Sequence, residues 1–168
     1  MPRAITSLVI HCTATPNNRW TTVDDIDKWH RDRGFKRTAE ALARQNPHLL
    51  AIGYHRIIYT NGAAATGRAN WEVGAHAQGA NANSLGIALV GTDRYTLAQW
   101  DSLAQLVRFL CDQYRIPLEP ADTKHPHVLR GVLGHRDVPG TRKTCPGFDV
   151  RAWLLRGMTP TPDQIIEA

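Results

Sequence analysis

A histidine and a cysteine near the end of the chain flank a stretch that does not fit a helix. The stretch GHRDVPGTRKTCPG spans residues 134–147 and places His135 ten positions before Cys145. Pro139 and Gly140 lie between them and favour a loop that folds back on itself. Neutral imidazole and thiolate both suit zinc, and catalytic zinc sites commonly use three protein ligands plus water. The pair therefore indicates two ligands of a metal site that needs a third.

The other histidines divide into candidates for that site and residues expected outside it. Four of the eight histidines are at or near the ends of predicted strands, where a rigid scaffold can aim side chains into one cleft: His11, His55, His76 and His135. Of these, His11 closes the first strand and is the candidate third ligand. We assign His55 a packing role. The rest are expected on a helix flank (His30) or on the surface beside prolines (His48, His125, His127).

The residue types alone leave two interpretations open. The sequence has neither an HExxH motif nor paired CxxC motifs, which would carry a stronger metal signal. A zinc site and a set of scattered structural histidines are therefore both compatible with the spacing. In the first case the positive charge of Lys143, two residues before Cys145, is expected to lower the pKa of the thiol.

Strand and helix patterns alternate along the chain and predict an α/β fold with a central mixed sheet flanked by α-helices. Predicted strands cover 5–12, a hairpin around Asn61-Gly62, 84–91 and 127–134; predicted helices cover 21–34, 96–114 and 148–157. The middle of 35–50 is also helical in pattern and ends before Pro47. Within the first helix, Val23, Ile26 and Trp29 are expected on the inner face, and His30 is expected either on that face or on the flank. We expect one domain over residues 1–158 and a C-terminal tail over 159–168.

Composition narrows the classes of protein that fit. The 168 residues carry a net charge of +5 and a sequence pI of about 9.4, which favours acidic partners such as nucleic acid, anionic membrane or bacterial cell wall. The apolar patch in MPRAITSLVIHCTAT is too short for a signal peptide, and no stretch is long enough to cross a bilayer. We therefore expect a cytoplasmic protein at synthesis. Three cysteines are an odd number, and a disulfide framework is not expected.

Five stretches, in the same order along the chain, resemble the zinc-dependent N-acetylmuramoyl-L-alanine amidases. This is the type-2 amidase and peptidoglycan-recognition-protein superfamily, and the T7-lysozyme-like phage endolysins are the most similar group. The stretches are LVIHCTAT, IDKWHRDRGF, IGYHRIIYTNG, VGAHAQGANANSLGIALVG and KTCPGFDVRAWL. The segment FKRTAEALARQNPHLLAI is longer than in those endolysins, and we expect it to reshape one wall of the substrate groove.

The resemblance implies a single domain with a zinc-containing cleft on one face of the sheet. It implies one Zn²⁺ per chain, held by His11, His135 and Cys145, with Tyr54 and Lys143 as catalytic residues. We expect His76 to contact the substrate in the groove. The implied reaction is hydrolysis of the amide between N-acetylmuramic acid and L-alanine of the stem peptide by zinc-activated water, with lysis of the cell wall. The resemblance identifies no general base: Glu72 lies near a motif, but the family pattern does not place a base there.

The implied partner is peptidoglycan of the Gram-negative, diaminopimelate type, reached after release from the cytoplasm. We expect a monomer, with no nucleic-acid partner and no membrane insertion. Regulation of an RNA polymerase is a second role within this group that no residue pattern here supports. One rival interpretation is a non-catalytic peptidoglycan-binding protein, which would not need Tyr54, Lys143 and Cys145 together. Another is a nucleic-acid-binding zinc protein, which would need a closed four-ligand site.

Overall fold

The computed structural model of the chain describes residues 2–124 and 128–167, in which strands and helices alternate. The strands are β1 (Ser7–Cys12), β2 (Arg56–Ile58), β3 (Ala64–Thr66), β4 (Ser84–Leu89), β5 (Tyr95–Thr96), β6 (Gly131–Gly134) and β7 (Ile165–Ile166). The α-helices are α1 (Val23–Asp32), α2 (Ala39–Arg44), α3 (Leu97–Tyr114) and α4 (Val150–Leu155). His125 and His127, expected on the surface, lie outside the described residues.

The central sheet has the strand order β3-β2-β4-β1-β6. Strands β2, β4, β1 and β6 run parallel to one another, and β3 is antiparallel to β2 in the predicted hairpin. Because parallel strands end at the same edge of a sheet, the residues that follow β1 and β6 meet there. The predicted α/β class with a central mixed sheet flanked by helices is confirmed.

One face of this sheet, which we call the apolar face, carries the main hydrophobic core. Alternate residues of the two central strands point into it: Leu8, Ile10, Leu85, Ile87 and Leu89. Helix α3 covers them with a fully buried stripe that recurs every three or four residues and includes Trp100, Leu103 and Val107. Trp153 of α4 packs into the same core. Burial of this area supplies the non-directional part of the stability.

Capping boxes begin the two longer helices. Thr22 and Asp25 form one at α1, and Thr96 and Gln99 form one at α3. The described part of the tail packs back on the domain, because β7 pairs in parallel with β5 and Trp100 Nε1 donates a hydrogen bond to Gln164 O at 3.2 Å. Among the described residues, no helix is long and apolar enough to cross a membrane.

The inner face of α1 differs from the prediction. Trp29 is 37% exposed, whereas Asp27 and His30 are buried. Asp27 Oδ1 accepts hydrogen bonds from the main-chain N–H groups of Ala51 and Ile52, both at 2.7 Å. The buried positions still recur at three and four residues, but two of them are polar, so a search for apolar periodicity missed them. Of the two positions predicted for His30, the inner face is confirmed and the helix flank is wrong.

Candidate metal centre and active site

Two of the predicted ligands leave neighbouring parallel strands side by side. In the pairing of β1 with β6, Ile10 lies opposite Gly134, the last residue of β6, and the next residues along the chain are His11 and His135. Their ring centroids are 4.6 Å apart. The strand register therefore brings the two imidazoles together at the carboxyl edge of the sheet.

The loop that follows β6 returns Cys145 to the same point. Its closure is fixed by a hydrogen bond from Arg136 N to Cys145 O at 2.8 Å. Cys145 Sγ then lies 3.8 Å from His11 Nδ1. One donor atom from each of His11, His135 and Cys145 lies within 4.8 Å of the others. The structure thus assembles the three side chains that the sequence indicated.

Burial keeps the two histidines neutral. It lowers the pKa of His11 well below its ordinary value, and repulsion from the nearby His135 adds to the shift. Burial also lowers the pKa of His135, and the positive charge of Lys143 acts in the same direction. A neutral imidazole keeps a lone pair on one ring nitrogen, which is the form that binds a metal.

The charge of Lys143 lowers the pKa of the Cys145 thiol, as predicted, but the net shift of that thiol is upward. Its hydrogen bond with the Cys12 thiol, together with burial, raises the pKa of Cys145, and the charge of Lys143 opposes this shift without reversing it. The main-chain N–H of Cys12 also donates to Cys145 Sγ at 3.0 Å. Such a donor would stabilise the thiolate form that a metal ligand requires.

Tyr54 lies beside the ligands, on the segment that leads into β2. Its ring centroid is 5.1 Å from that of His11 and 5.2 Å from that of His30. The buried His30 accepts a hydrogen bond at Nδ1 from Gly53 N at 2.9 Å, which fixes the backbone just before the tyrosine. Burial raises the pKa of Tyr54. Its hydroxyl therefore keeps its proton and can donate a hydrogen bond.

Lys143 lines two clefts beside the ligand cluster. The larger cleft, of about 750 Å³, is also lined by His76 and His135. The smaller cleft, of about 350 Å³, is also lined by Cys12 and Cys145. The Lys143 side chain is exposed. A ligand in either cleft would therefore meet this positive charge next to the candidate metal site.

The other two histidines predicted for the cleft, His55 and His76, differ in their contacts. His55 is fully buried, its Nδ1 accepts a hydrogen bond from Gly86 N at 3.0 Å, and its Nε2 lies 2.9 Å from Glu72 O. Its packing role is confirmed. His76 lies in the wall of the larger cleft, with Nδ1 2.8 Å from His11 Nε2. Its contact with substrate stays a prediction.

Glu72 is held in a buried ion pair and is thereby excluded as a free base. Its Oε1 lies 2.6 Å from Arg37 Nη2 and accepts a hydrogen bond from Ala69 N at 2.9 Å. The same arginine binds main-chain carbonyls across the long 35–52 segment: those of Ala41, Gln45, Asn46 and Leu49. Phe35 at the start of that segment lines the larger cleft. Phe35 therefore contributes to one wall of the cleft, and the reshaping of the groove by the longer segment stays a prediction.

The assembled donor set fits one zinc ion. Two neutral imidazoles and a thiolate are the borderline-soft ligands that zinc prefers, and three protein ligands are the number found in catalytic zinc sites. His11 Nε2 is engaged with His76, which leaves Nδ1, the atom nearer Cys145, to face a metal. The clefts beside the cluster would give a substrate access to a metal held by these residues.

Comparison with known proteins agrees with this geometry. The sequence profile of the N-acetylmuramoyl-L-alanine amidase family (Amidase_2) matches residues 1–148. The chain is 33% identical to the endolysin of Enterobacteria phage T3, over 97% of this chain and 95% of the relative. It is 32% identical to the endolysin of Escherichia phage T7, over 94% of this chain and 91% of the relative.

Among solved structures, the N-acetylmuramoyl-L-alanine amidase LysC from Clostridium intestinale URNW superposes with a TM-score of 0.68 at 28% identity, covering 93% of this chain and 85% of that one. AmpD superposes with a TM-score of 0.61 at 22% identity, over 95% and 87% of the two chains, and so shares the fold. The chain described here belongs to the N-acetylmuramoyl-L-alanine amidase family and is an enzyme that hydrolyses peptidoglycan, as its motifs predicted.

Proposed function

We propose that this amidase is a zinc-dependent endolysin that cleaves the amide between the lactyl group of N-acetylmuramic acid and L-alanine of the stem peptide. The observation that carries the proposal is the convergence of His11, His135 and Cys145 at one sheet edge, with donor atoms within 4.8 Å of one another. The relatives named endolysin, which match nearly the whole chain, support the same assignment.

In this proposal the three ligands hold one zinc ion per chain. Zinc bound at such a site lowers the pKa of a bound water towards neutrality and polarises the scissile carbonyl. The Cys12 N–H, 3.0 Å from Cys145 Sγ, stabilises the thiolate form of that ligand. The low pKa of His11 and of His135 keeps both imidazoles available as ligands near neutral pH.

Lys143 and Tyr54 act on the substrate. Attack on an amide makes a tetrahedral oxyanion, which positive charge and hydrogen-bond donors stabilise. The exposed Lys143 ammonium at the edge of both clefts supplies the charge. The Tyr54 hydroxyl, whose pKa burial raises, stays protonated and donates a hydrogen bond to the oxyanion or orients the attacking water. Glu72 does not serve as base, because Arg37 holds its carboxylate.

Further parts of the proposal concern the substrate and the course of lysis. We propose that His76 contributes to the groove wall, and that the amidase domain covers residues 1–158 with 159–168 as a tail. Peptidoglycan of the Gram-negative, diaminopimelate type is the proposed substrate, cleaved by a monomer that reaches the wall after release from the cytoplasm. The net charge of +5 favours contact with the anionic envelope.

The decisive experiment is mass spectrometry of purified diaminopimelate-type peptidoglycan after digestion, with and without a zinc chelator. We expect free stem peptides that begin at L-alanine, their loss on chelation and their return when zinc is added back. Release that persists in chelator would contradict the zinc dependence. Intact glycan–peptide linkages after incubation with folded, zinc-loaded protein would favour the binding-protein interpretation.

A further inference from the structure

His76 occupies a slot that leaves its ring little freedom. A Cβ atom built on Gly86 would lie 2.5 Å from His76 Cγ, and one built on Gly74 would lie 2.5 Å from His76 Cδ2. Both glycines are therefore needed for the ring to fit between the two backbones. The main chain is fixed as well, because Asn81 Oδ1 accepts hydrogen bonds from the N–H groups of His76 and Ala77, both at 2.9 Å.

Both ring nitrogens of His76 face a hydrogen-bonding group. On one side Nε2 lies 3.3 Å from the hydroxyl oxygen of Ser84, and on the other Nδ1 lies 2.8 Å from His11 Nε2. All three side chains are buried, with exposed fractions of 9% for His76, 0% for Ser84 and 1% for His11. A buried polar group without a hydrogen-bond partner lowers the stability of the fold, so we expect each N–H and O–H of these three side chains to have an acceptor.

Ser84 sets the direction of these hydrogen bonds. Its hydroxyl donates to Ala80 O at 2.7 Å, so its oxygen presents a lone pair to His76 Nε2 and can only accept there. His76 must then carry its proton on Nε2 and present a bare Nδ1 to His11. His11 in turn carries its proton on Nε2, and its lone pair is on Nδ1, which lies 3.8 Å from Cys145 Sγ. The opposite arrangement would leave a nitrogen lone pair facing the Ser84 lone pair and would protonate the ligand atom of His11.

We infer that His76 is a positioning residue that, through Ser84, fixes the tautomer and the ring orientation of the metal ligand His11. The inference rests on the proposed metal site. Histidine ligands usually donate their second N–H to a carboxylate, a carbonyl or water, and loss of that partner typically weakens metal affinity or activity about 10–100-fold. Here the acceptor is the neutral imidazole of His76. Unlike a carboxylate, it adds no negative charge to the metal site.

The test compares two substitutions of similar size at one position. His76→Leu removes the acceptor, whereas His76→Asn places an amide oxygen near the position of Nδ1. Zinc affinity is measured by competition with a chromophoric chelator. We expect His76→Leu to lose roughly 10–100-fold and His76→Asn to recover most of that loss. Ser84→Ala should give a smaller loss, because it frees the His76 tautomer without removing the ring. Leu103→Ala is the control, since it destabilises the apolar face and leaves this contact intact.

Equal losses for the Leu and Asn variants would overturn the inference, because packing of the ring would then matter and not its acceptor. Unchanged affinity in a folded His76→Leu variant would overturn it as well. If that variant does not fold, Ser84→Ala with wild-type zinc affinity is the overturning result.

A second readout needs no metal and no activity. Long-range ¹H–¹⁵N NMR of metal-free protein should show His11 protonated at Nε2, with a slowly exchanging proton that is lost in His76→Leu. Protonation of His11 at Nδ1 would contradict the hydrogen-bond direction. Wild-type protein that shows the expected tautomer but binds no zinc would instead refute the proposed metal site, so the two failures are distinguishable.

Discussion

The two faces of the central sheet are stabilised in different ways. The apolar face buries Leu8, Ile10, Leu85 and Ile87 under helix α3, with interactions that depend on area and shape. The opposite face, which we call the histidine face, carries a connected set of polar side chains from distant parts of the chain: His11, His55, His76, Ser84 and, next to them, Glu72 with Arg37.

The contrast distinguishes the residues that determine stability from those that determine metal binding and catalysis. Contacts on the apolar face tolerate hydrophobic substitutions that conserve volume, because the hydrophobic effect has no direction. Contacts on the histidine face are directional, and a single lost partner leaves a buried polar group unsatisfied. We therefore expect substitutions on the apolar face to change the free energy of unfolding. Substitutions in the active site, at the edge of the histidine face, should change metal binding or turnover.

The largest effect is expected from Cys145→Ser, which removes a ligand but little volume. Zinc should be lost and activity should fall at least on the order of 10³-fold, because the lost Lewis acid contributes several kcal/mol. Metal content by atomic emission and release of stem peptides measure the two losses. The melting temperature of the metal-free variant should match that of metal-free wild-type protein. A variant with full activity would remove Cys145 from the ligand set.

Tyr54→Phe and Lys143→Ala should separate catalysis from metal binding. Each removes a group that acts on the substrate, so turnover should fall roughly 10²–10³-fold, the range for one oxyanion-stabilising donor. Zinc content should stay at one ion per chain. The control is Lys28→Ala, which removes an exposed cation from α1. Loss of zinc in either variant would mean that its role is structural.

Leu103→Ala tests the apolar face. Leu103 is fully buried in α3, and truncation of a buried leucine costs about 3 kcal/mol. Urea unfolding followed by circular dichroism should show this loss, while the folded variant keeps the zinc affinity and turnover of wild-type protein. If the binding free energy of zinc fell by as much as the free energy of unfolding, the two faces would be coupled. The distinction between them would then be wrong.

The apolar face could be predicted from the sequence because its signals are periodic. The β-branched run of β1 and the spacing of three and four residues in α3 identify both elements with nearly their observed bounds. The parallel pairing of β1 with β6 could not be derived from such patterns. The ligand set came from the resemblance to a family, since the spacing of His11, His135 and Cys145 left structural histidines as an alternative.

The histidine face gave almost no sequence signal beyond the residue types. The contact between His11 and His76 joins positions 65 residues apart, and that between Arg37 and Glu72 joins positions 35 apart. Neither has a period or a local motif. Asp27 is buried on α1 where Trp29 was expected, for a related reason: its partners are main-chain N–H groups, which every residue except proline has. Directional contacts of this kind depend on the assembled fold.

Acid should weaken the protein through its buried histidines, in a metal-free sample. Burial lowers the pKa of His30 to about 4 and that of His55 to about 3, against an ordinary value of 6.5. Below pH 6.5 the unfolded chain binds protons that the folded chain does not. The contribution of each neutral histidine is therefore complete above that pH and declines as pH falls towards the folded-state pKa.

Each of the two histidines should lower the free energy of unfolding by about 1.4 kcal/mol per pH unit once pH is below 6.5. Urea unfolding in chelator at pH 7, 6 and 5 measures this slope at pH values above the range where most carboxylates titrate. The control is His48→Asn, which removes a histidine whose side chain is 62% exposed. A free energy that is constant from pH 7 to 5 would mean that these histidines are accessible to protons in the folded state. The histidine face would then differ from the apolar face only in residue type and not in how firmly it is closed.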